Sequence, residues 1–427
     1  MMGGVRVRAG WLCLMLALAG CAAPSGRPTE LQREFLKLAR EALDRGDTAT
    51  AFARYARLAE AGVAQAQYQL GRMYERGQGT AANPAQALYW YGLAAQAGDA
   101  RAMRALADLQ WRAAQGPADR LRALTWYTRA AQAGDTKAAA RAGQIFLKGA
   151  EGIPPQPERA RPYLVEAAEA GDPGAALALA RLLAERGGAA GAAEAQRWYA
   201  RAAELLARRV EDGDVKAMER LALLHLEGLG TPPDPRRGLR LLERAAAAGS
   251  ERAAVRLARI YRDGRYGIAP DIDRAILLYA RASARGDPTA AYELGRLYLQ
   301  RGGGVRDLRL ALRQLTRAAE AGEERAWFWI GEIRRDPDSP LFDRDKAVEA
   351  FRNSARSGEV KALDRLGRLA EQAGDRTQAL AWYALAAERG YRPAQGRAER
   401  LGRRLAEADR QQAFERLDQL RRRFPAR

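Results

Sequence analysis

Residues 85–98 read AQALYWYGLAAQAG. Ala87, Tyr91, Ala94 and Ala95 recur at helical spacing and make one apolar stripe, so Ala85–Ala97 is expected to be a helix. Gly98 closes it, because glycine takes the left-handed cap conformation without steric cost. The same closing glycine stands at Gly62, Gly98, Gly134, Gly171, Gly213, Gly249, Gly286, Gly322 and Gly358, in steps of 36, 36, 37, 42, 36, 37, 36 and 36 residues, and Gly390 follows after 32. A period this regular predicts a stacked array of two-helix units, and such arrays bind and organise partners more often than they catalyse.

The segments before the other glycines repeat the pattern: Leu121–Ala133, Asp273–Arg285 and Thr377–Arg389. Paired alanines such as Ala94-Ala95 and Ala318-Ala319 are small enough to admit a neighbouring helix. After the glycine a second helix is expected, as in Ala64–Arg76, Glu251–Asp263 and Thr289–Arg301. Leu70 with Tyr74, Leu257 with Tyr261, and Leu294 with Tyr298 share a face at i,i+4. Gly71, Gly295, Gly331 and Gly367 fall mid-helix, where glycine costs roughly 1 kcal/mol against alanine. Their recurrence there implies close packing of backbone against the paired helix. The linking loops carry Gly77-Gln-Gly79, Gly228-Leu-Gly230 and Gly302-Gly-Gly304, with Asn83, Asp234, Asp271 or Asp307 placed to cap the next helix. A glycine-rich loop also suits phosphate, but the P-loop lysine and the preceding strand are both missing, so a structural turn is the reading.

The pattern A-x-x-x-L-G-x-x-Y-x-x-G-x-G followed by K/R-A-x-x-W-Y-x-x-A-A-x-x-G resembles the Sel1-like repeats, relatives of tetratricopeptide repeats. The likeness covers roughly residues 48–390. It rests also on the aromatic pairs Trp90-Tyr91, Trp126-Tyr127, Trp198-Tyr199 and Trp382-Tyr383, replaced in other units by Tyr163-Leu164, Leu241-Leu242 and Ala350-Phe351. The implied fold is all-α, a right-handed α-solenoid of Sel1-like, tetratricopeptide-like helix pairs. Glu204–Asp212 lengthens one helix, and the linkers near Gly116-Pro117 and Asp336–Pro340 lack the double glycine, so the array is not perfectly even.

The amino terminus reads as an address. Arg6 and Arg8 precede the apolar run Trp11–Leu18, and Leu18-Ala19-Gly20-Cys21 follows. This is a charged segment, an apolar segment too short to span a membrane, and a small-residue cleavage site. The L-A-G-C ending resembles a bacterial lipobox, which implies lipid on Cys21; an ordinary secretory signal with a chance cysteine is the alternative. Ala22, where aspartate would favour the inner membrane, implies the outer membrane, facing the periplasm. The expected organisation is signal 1–20, tether 21–29, repeat solenoid 30–390, and capping helices with a tail over 391–427. The first helix pair is expected at Glu30–Leu43 and Thr48–Ala61. Cys13 and Cys21 are the only cysteines. Neither would remain as a free thiol, so no disulfide or thiolate metal site is expected.

The formal net charge is +19, and removing residues 1–20, with two arginines and no acid, leaves +17. Only six basic residues are lysines: Lys37, Lys137, Lys148, Lys216, Lys346 and Lys361. Such arginine dominance is also what a GC-rich genome gives. Net charge of this size attracts polyanions. For an envelope protein those are acidic polysaccharide, lipid head groups or acidic proteins, not nucleic acid. Arg72, Arg181, Arg259, Arg296 and Arg368 stand two positions past the core leucine, about 200° round the helix from it. They would form a concave basic row, broken by Asp108, Gln144, Leu223 and Glu332, or else a solvated helix face.

Nothing in the chain assembles a catalytic group. The single histidine, His225, occupies the register of Tyr74, Tyr261 and Tyr298, which suits packing. Glu323-Glu324 and Asp343/Asp345 sit at helix starts, where negative charge complements the helix dipole. No catalytic, cofactor or metal residue is therefore expected. The stretch 41–67, EALDRGDTATAFARYARLAEAGVAQAQ, resembles the start of the AlgK-type alginate export lipoproteins. That likeness implies a periplasmic scaffold that places an outer-membrane export porin, contacts other secretion-complex subunits, and works beside an acidic polysaccharide. A general Sel1 lipoprotein in envelope signalling or maintenance is the alternative, and a cell-wall hydrolase a more distant one.

Overall fold

The computed structural model describes residues 28–300 and 308–425. The signal segment, Cys21, the Gly302-Gly-Gly304 loop and Asp307 lie outside the described residues. Within them stand 22 α-helices and no β-strand, and the only bridge pairs Ala150 with Ile153. The expected α-solenoid of helix pairs is the fold. No described helix is long and apolar enough to cross a membrane.

One turn repeats between helix pairs. Ala97 ends the helix Pro84–Gln96, and Gly98 adopts φ +90°. The Gly98 and Asp99 amides donate to the Ala95 and Ala94 carbonyls at 3.1 and 3.0 Å, satisfying the last turn. Asp99 then accepts from the Arg101 and Ala102 amides at 2.9 and 3.1 Å and opens Ala100–Ala113. Glycine thus stops one helix and aspartate starts the next within two residues, which fixes the angle between them. The expected caps within the repeats also form: Asn83, Asp234 and Asp271 accept from Gln86, Arg237 and Arg274 amides at 3.1, 2.9 and 2.9 Å.

The chain divides into two compact units, residues 1–208 with 229–231, and 209–228 with 232–427. In the first, Glu30–Asp44 is capped by Thr29 and Gln32 in a reciprocal box. Ala64–Arg76 packs on Pro84–Gln96, and Thr136–Lys148 on Pro157–Glu169. A Cβ on Gly71 would lie 2.7 Å from Tyr91 Cδ1, and one on Gly143 2.8 Å from Leu164 Cδ2. Here the mid-helix glycine and the buried Tyr or Leu of the next helix form one contact. Gly230 lies directly on the backbone of Tyr199 and Ala200, and its amide donates to Gln196 Oε1 at 2.7 Å. That close approach accounts for the loop glycine structurally. The helix Gly188–Glu211, with 24 residues, is the lengthened element expected from the 42-residue step.

In the second unit, Pro288–Leu299 packs on Leu308–Glu320, Ala326–Arg334 on Arg344–Arg356, and Val360–Gln372 on Arg376–Glu388. Cβ atoms on Gly295, Gly331 and Gly367 would meet Leu315, Phe351 and Tyr383 at 2.7, 2.6 and 2.6 Å. The carboxy-terminal helices Arg392–Arg404 and Glu407–Arg423 cover Arg376–Glu388, with Phe424 edge-on to Trp382 at 5.3 Å.

Candidate functional surface

Five of the first helices carry the row arginines. In the first unit Arg72 is half-buried: it donates to Gln69 Oε1 at 3.1 Å, and its guanidinium carbon lies 5.8 Å from the Tyr68 ring centre. Arg181 is exposed. In the second unit Arg259 lies 3.6 Å from Glu293, Arg296 stacks over Trp329 at 4.7 Å, and Arg368 lies 3.1 Å from Asp364. The five therefore differ in state. Two are ion-paired, two rest on aromatic rings, and one is open to solvent. Of the interrupting residues, Asp108 pairs with Arg104 at 3.4 Å and Glu332 with Arg335 and Arg365 at 3.0 and 2.7 Å.

A second set of arginines completes the surface. Arg101, 33 residues after Tyr68, stacks on its ring at 5.1 Å. Asp99 holds Arg101 in place at 2.8 Å. The same device recurs in the second unit. Arg325, 33 residues after Tyr292, stacks on that ring at 4.5 Å and is held by Glu323 at 2.7 Å. Trp329 Nε1 donates to the Tyr292 hydroxyl at 3.3 Å, which joins the two stacked arginines to one aromatic platform. Asp99 and Glu323 each take Nε and one terminal nitrogen of the arginine they hold, so each ring-stacked guanidinium keeps only its other terminal nitrogen outside that pair. A held cation with donors left over can still donate to a carboxylate or phosphate. The sequence reading missed Tyr68, Arg101, Tyr292, Arg325 and Trp329 as site residues. Their signal was an aromatic residue four before the row arginine, with another arginine three after the closing glycine.

Asp364 was also missed. It is fully buried and holds Arg365, Arg368 and Arg397 at 3.2, 3.1 and 2.7 Å. His225 is buried, as packing requires, and burial lowers its pKa below the ordinary 6.5. The buried tyrosines pair with acids: Tyr91 with Glu75 at 2.8 Å, Tyr127 with Asp108 at 2.6 Å and Tyr383 with Glu371 at 2.8 Å. Burial raises the pKa of all three, so they act as neutral donors. Asp343 caps its helix by accepting from the Lys346 amide at 3.0 Å, as expected from its place at a helix start. Among the described residues no group of three His, Cys, Asp or Glu side chains is placed to hold a metal ion.

Comparison with known proteins places this geometry. The family model for the Sel1 repeat matches residues 64–99, 100–135, 136–172, 173–205, 215–250, 251–287, 288–323 and 362–391, more than half of the chain. Among solved structures, the chain is similar to the protective antigen c5321 of uropathogenic Escherichia coli, which displays an SLR fold. Identity is 24%, over 92% of this chain and 84% of that one, with a TM-score of 0.57. It is also similar to a Sel1 repeat protein from Oxalobacter formigenes, at 22% identity over 83% and 99% of the two chains, with a TM-score of 0.50. These likenesses concern the fold. Among curated proteins none matches the chain.

Proposed function

The chain belongs to the Sel1 repeat family, and on that premise we propose that it is a non-catalytic envelope scaffold serving export of an acidic, alginate-like exopolysaccharide. Sel1 repeats form a scaffold-type fold for protein–protein interaction and are generally non-enzymatic. In this reading Cys21 carries lipid, the protein faces the periplasm from the outer membrane, and its partners are an outer-membrane porin or other secretion-complex subunits. The observation that carries the acidic-ligand part is the recurring ring–guanidinium stack, Tyr68 with Arg72 and Arg101, and Tyr292–Trp329 with Arg296 and Arg325. Each unit thus holds one ring-backed pair of cations. The lipobox and the likeness of residues 41–67 to AlgK-type proteins support the location and the pathway.

Two experiments test this. Cys21→Ser should release the protein from the membrane fraction; equal solubility of wild type and variant removes the anchor. Deleting the protein should lower secretion of the polymer or mislocalise the porin. If both stay unchanged, the general Sel1 envelope scaffold replaces the export reading. The pairing of Arg259 with Glu293, Arg368 with Asp364, Arg101 with Asp99 and Arg325 with Glu323 favours that second reading, because those charges already serve the fold.

A further inference from the structure

The tryptophan of the Trp-Tyr pair has a structural task. Trp90 packs back onto the cluster that includes Ala51, Tyr55 and Leu58 of the preceding helix Thr48–Glu60. Trp126 packs onto the cluster that includes Ala87, Tyr91 and Ala94 of Pro84–Gln96. In both places the indole packs on a cluster to which the preceding second helix contributes. In the second unit, Pro235–Ala247 and Ile272–Ala284 are successive second helices, and the equivalent position on the latter is Leu278. A cleft of about 780 Å³ opens between them. Its floor is aliphatic: Ala246, Ala254, Leu257, Leu278 and Ala282. Leu277 lines it too and is 52% exposed.

Charge at the rim is uneven. Arg274 pairs with Glu243 at 3.4 Å and Arg285 with Glu251 at 4.0 Å. Arg281, exposed at the same rim, has no carboxylate partner among the described residues. An occupant must therefore bring apolar side chains for the floor and a carboxylate for Arg281. The floor lies between two helices and is open to solvent, which suits side chains projecting from a segment laid along the cleft. Its volume is within the range of built binding sites. The net charge of +19 steers an acidic partner towards it.

We propose that this cleft docks an acidic amphipathic helix of a partner protein. The proposal goes beyond the export reading and stands without it. Leu278→Trp is the informative variant, because tryptophan already fills this position in four other units and should fold there. The test uses the full chain carrying Cys21→Ser and fluorescent 18-residue peptides: an amphipathic Leu/Phe/Glu helix, its Lys counterpart, and a scrambled acidic peptide. The acidic helix should bind saturably. Leu278→Trp and Arg281→Glu should each weaken it at least tenfold, and Arg129→Glu, in the other unit, should leave it unchanged. The Leu278→Trp chain should melt no lower than its parent. Equal binding of the helical and scrambled acidic peptides, or full affinity in Leu278→Trp, overturns the proposal. Binding of phosphatidylglycerol vesicles that Leu278→Trp alone abolishes would assign the cleft to lipid instead. A wild-type dimer that Leu278→Trp dissociates would assign it to a second copy, and either result also overturns the proposal.

Discussion

Two glycines separate packing from propensity at the scale of single residues. Gly295 lies against Leu315 and the Ala311 carbonyl, whereas a Cβ on Gly92 would meet nothing within 4 Å. Gly92→Ala should therefore raise stability by about 0.5–1 kcal/mol through helix propensity alone. Gly295→Leu should lower it by about 1–3 kcal/mol through overpacking. Urea titration of the two variants checks both signs. His225 supplies a pH test. Burial lowers its pKa, with Arg237 acting in the same direction and Asp234 against it. Above about pH 6.5 both the folded and the unfolded chain hold it neutral; below that the unfolded chain takes a proton that the folded chain resists. Stability should fall as pH drops from about 7 to 5.5, and His225→Tyr should flatten that slope. A parallel slope in the variant would remove His225 as the cause.

Helices in this chain are joined by two kinds of contact, and each makes its own demand. The first is the small residue against the buried ring, as in Gly331 with Phe351 and Gly367 with Tyr383. The second is the ion pair between repeats. Asp364 on Val360–Gln372 reaches Arg397 on Arg392–Arg404 while also holding Arg365 and Arg368. Removing the buried acid leaves three guanidiniums facing one another. Asp364→Ala should cost on the order of 3 kcal/mol, at the lower end for a broken buried pair because the arginines remain partly solvated. Adding Arg397→Ala should recover part of that loss, and a denaturation midpoint that does not move in the single variant would show the clamp to be dispensable.

Across the whole molecule the dominant property is charge. The formal +19 acts at long range and without regard to which arginines are already paired. If the ring-stacked arginines form the acidic-ligand surface, polyuronate binding should weaken as salt rises from about 0.1 to 1 M, where the Debye length shrinks from about 10 to 3 Å. Arg101→Glu and Arg325→Glu should weaken it further at low salt than reversal of the exposed Arg181. Equal effects of all three would mean that polymer senses net charge only and not the stacks.

The helix pairs, their caps and the close-packed glycines were legible in the residues because each depends on a few neighbours. A closing glycine followed by aspartate, or a leucine and tyrosine four apart, states a local geometry that recurs unchanged. The lengthened Gly188–Glu211 helix was legible for the same reason, as a break in the period. The arginine positions are plain in the sequence, but their chemistry was not legible there. Whether Arg296 meets Trp329, or Arg368 meets Asp364, depends on the rotamers and on the repeat that lies alongside. The cleft beside Leu278 was not legible at all, since an empty volume belongs to no residue. By itself the sequence determined the repeating local geometry; only tertiary packing decided which charges remain available and where a partner would find space, because pairing and cavities are properties of two surfaces brought together.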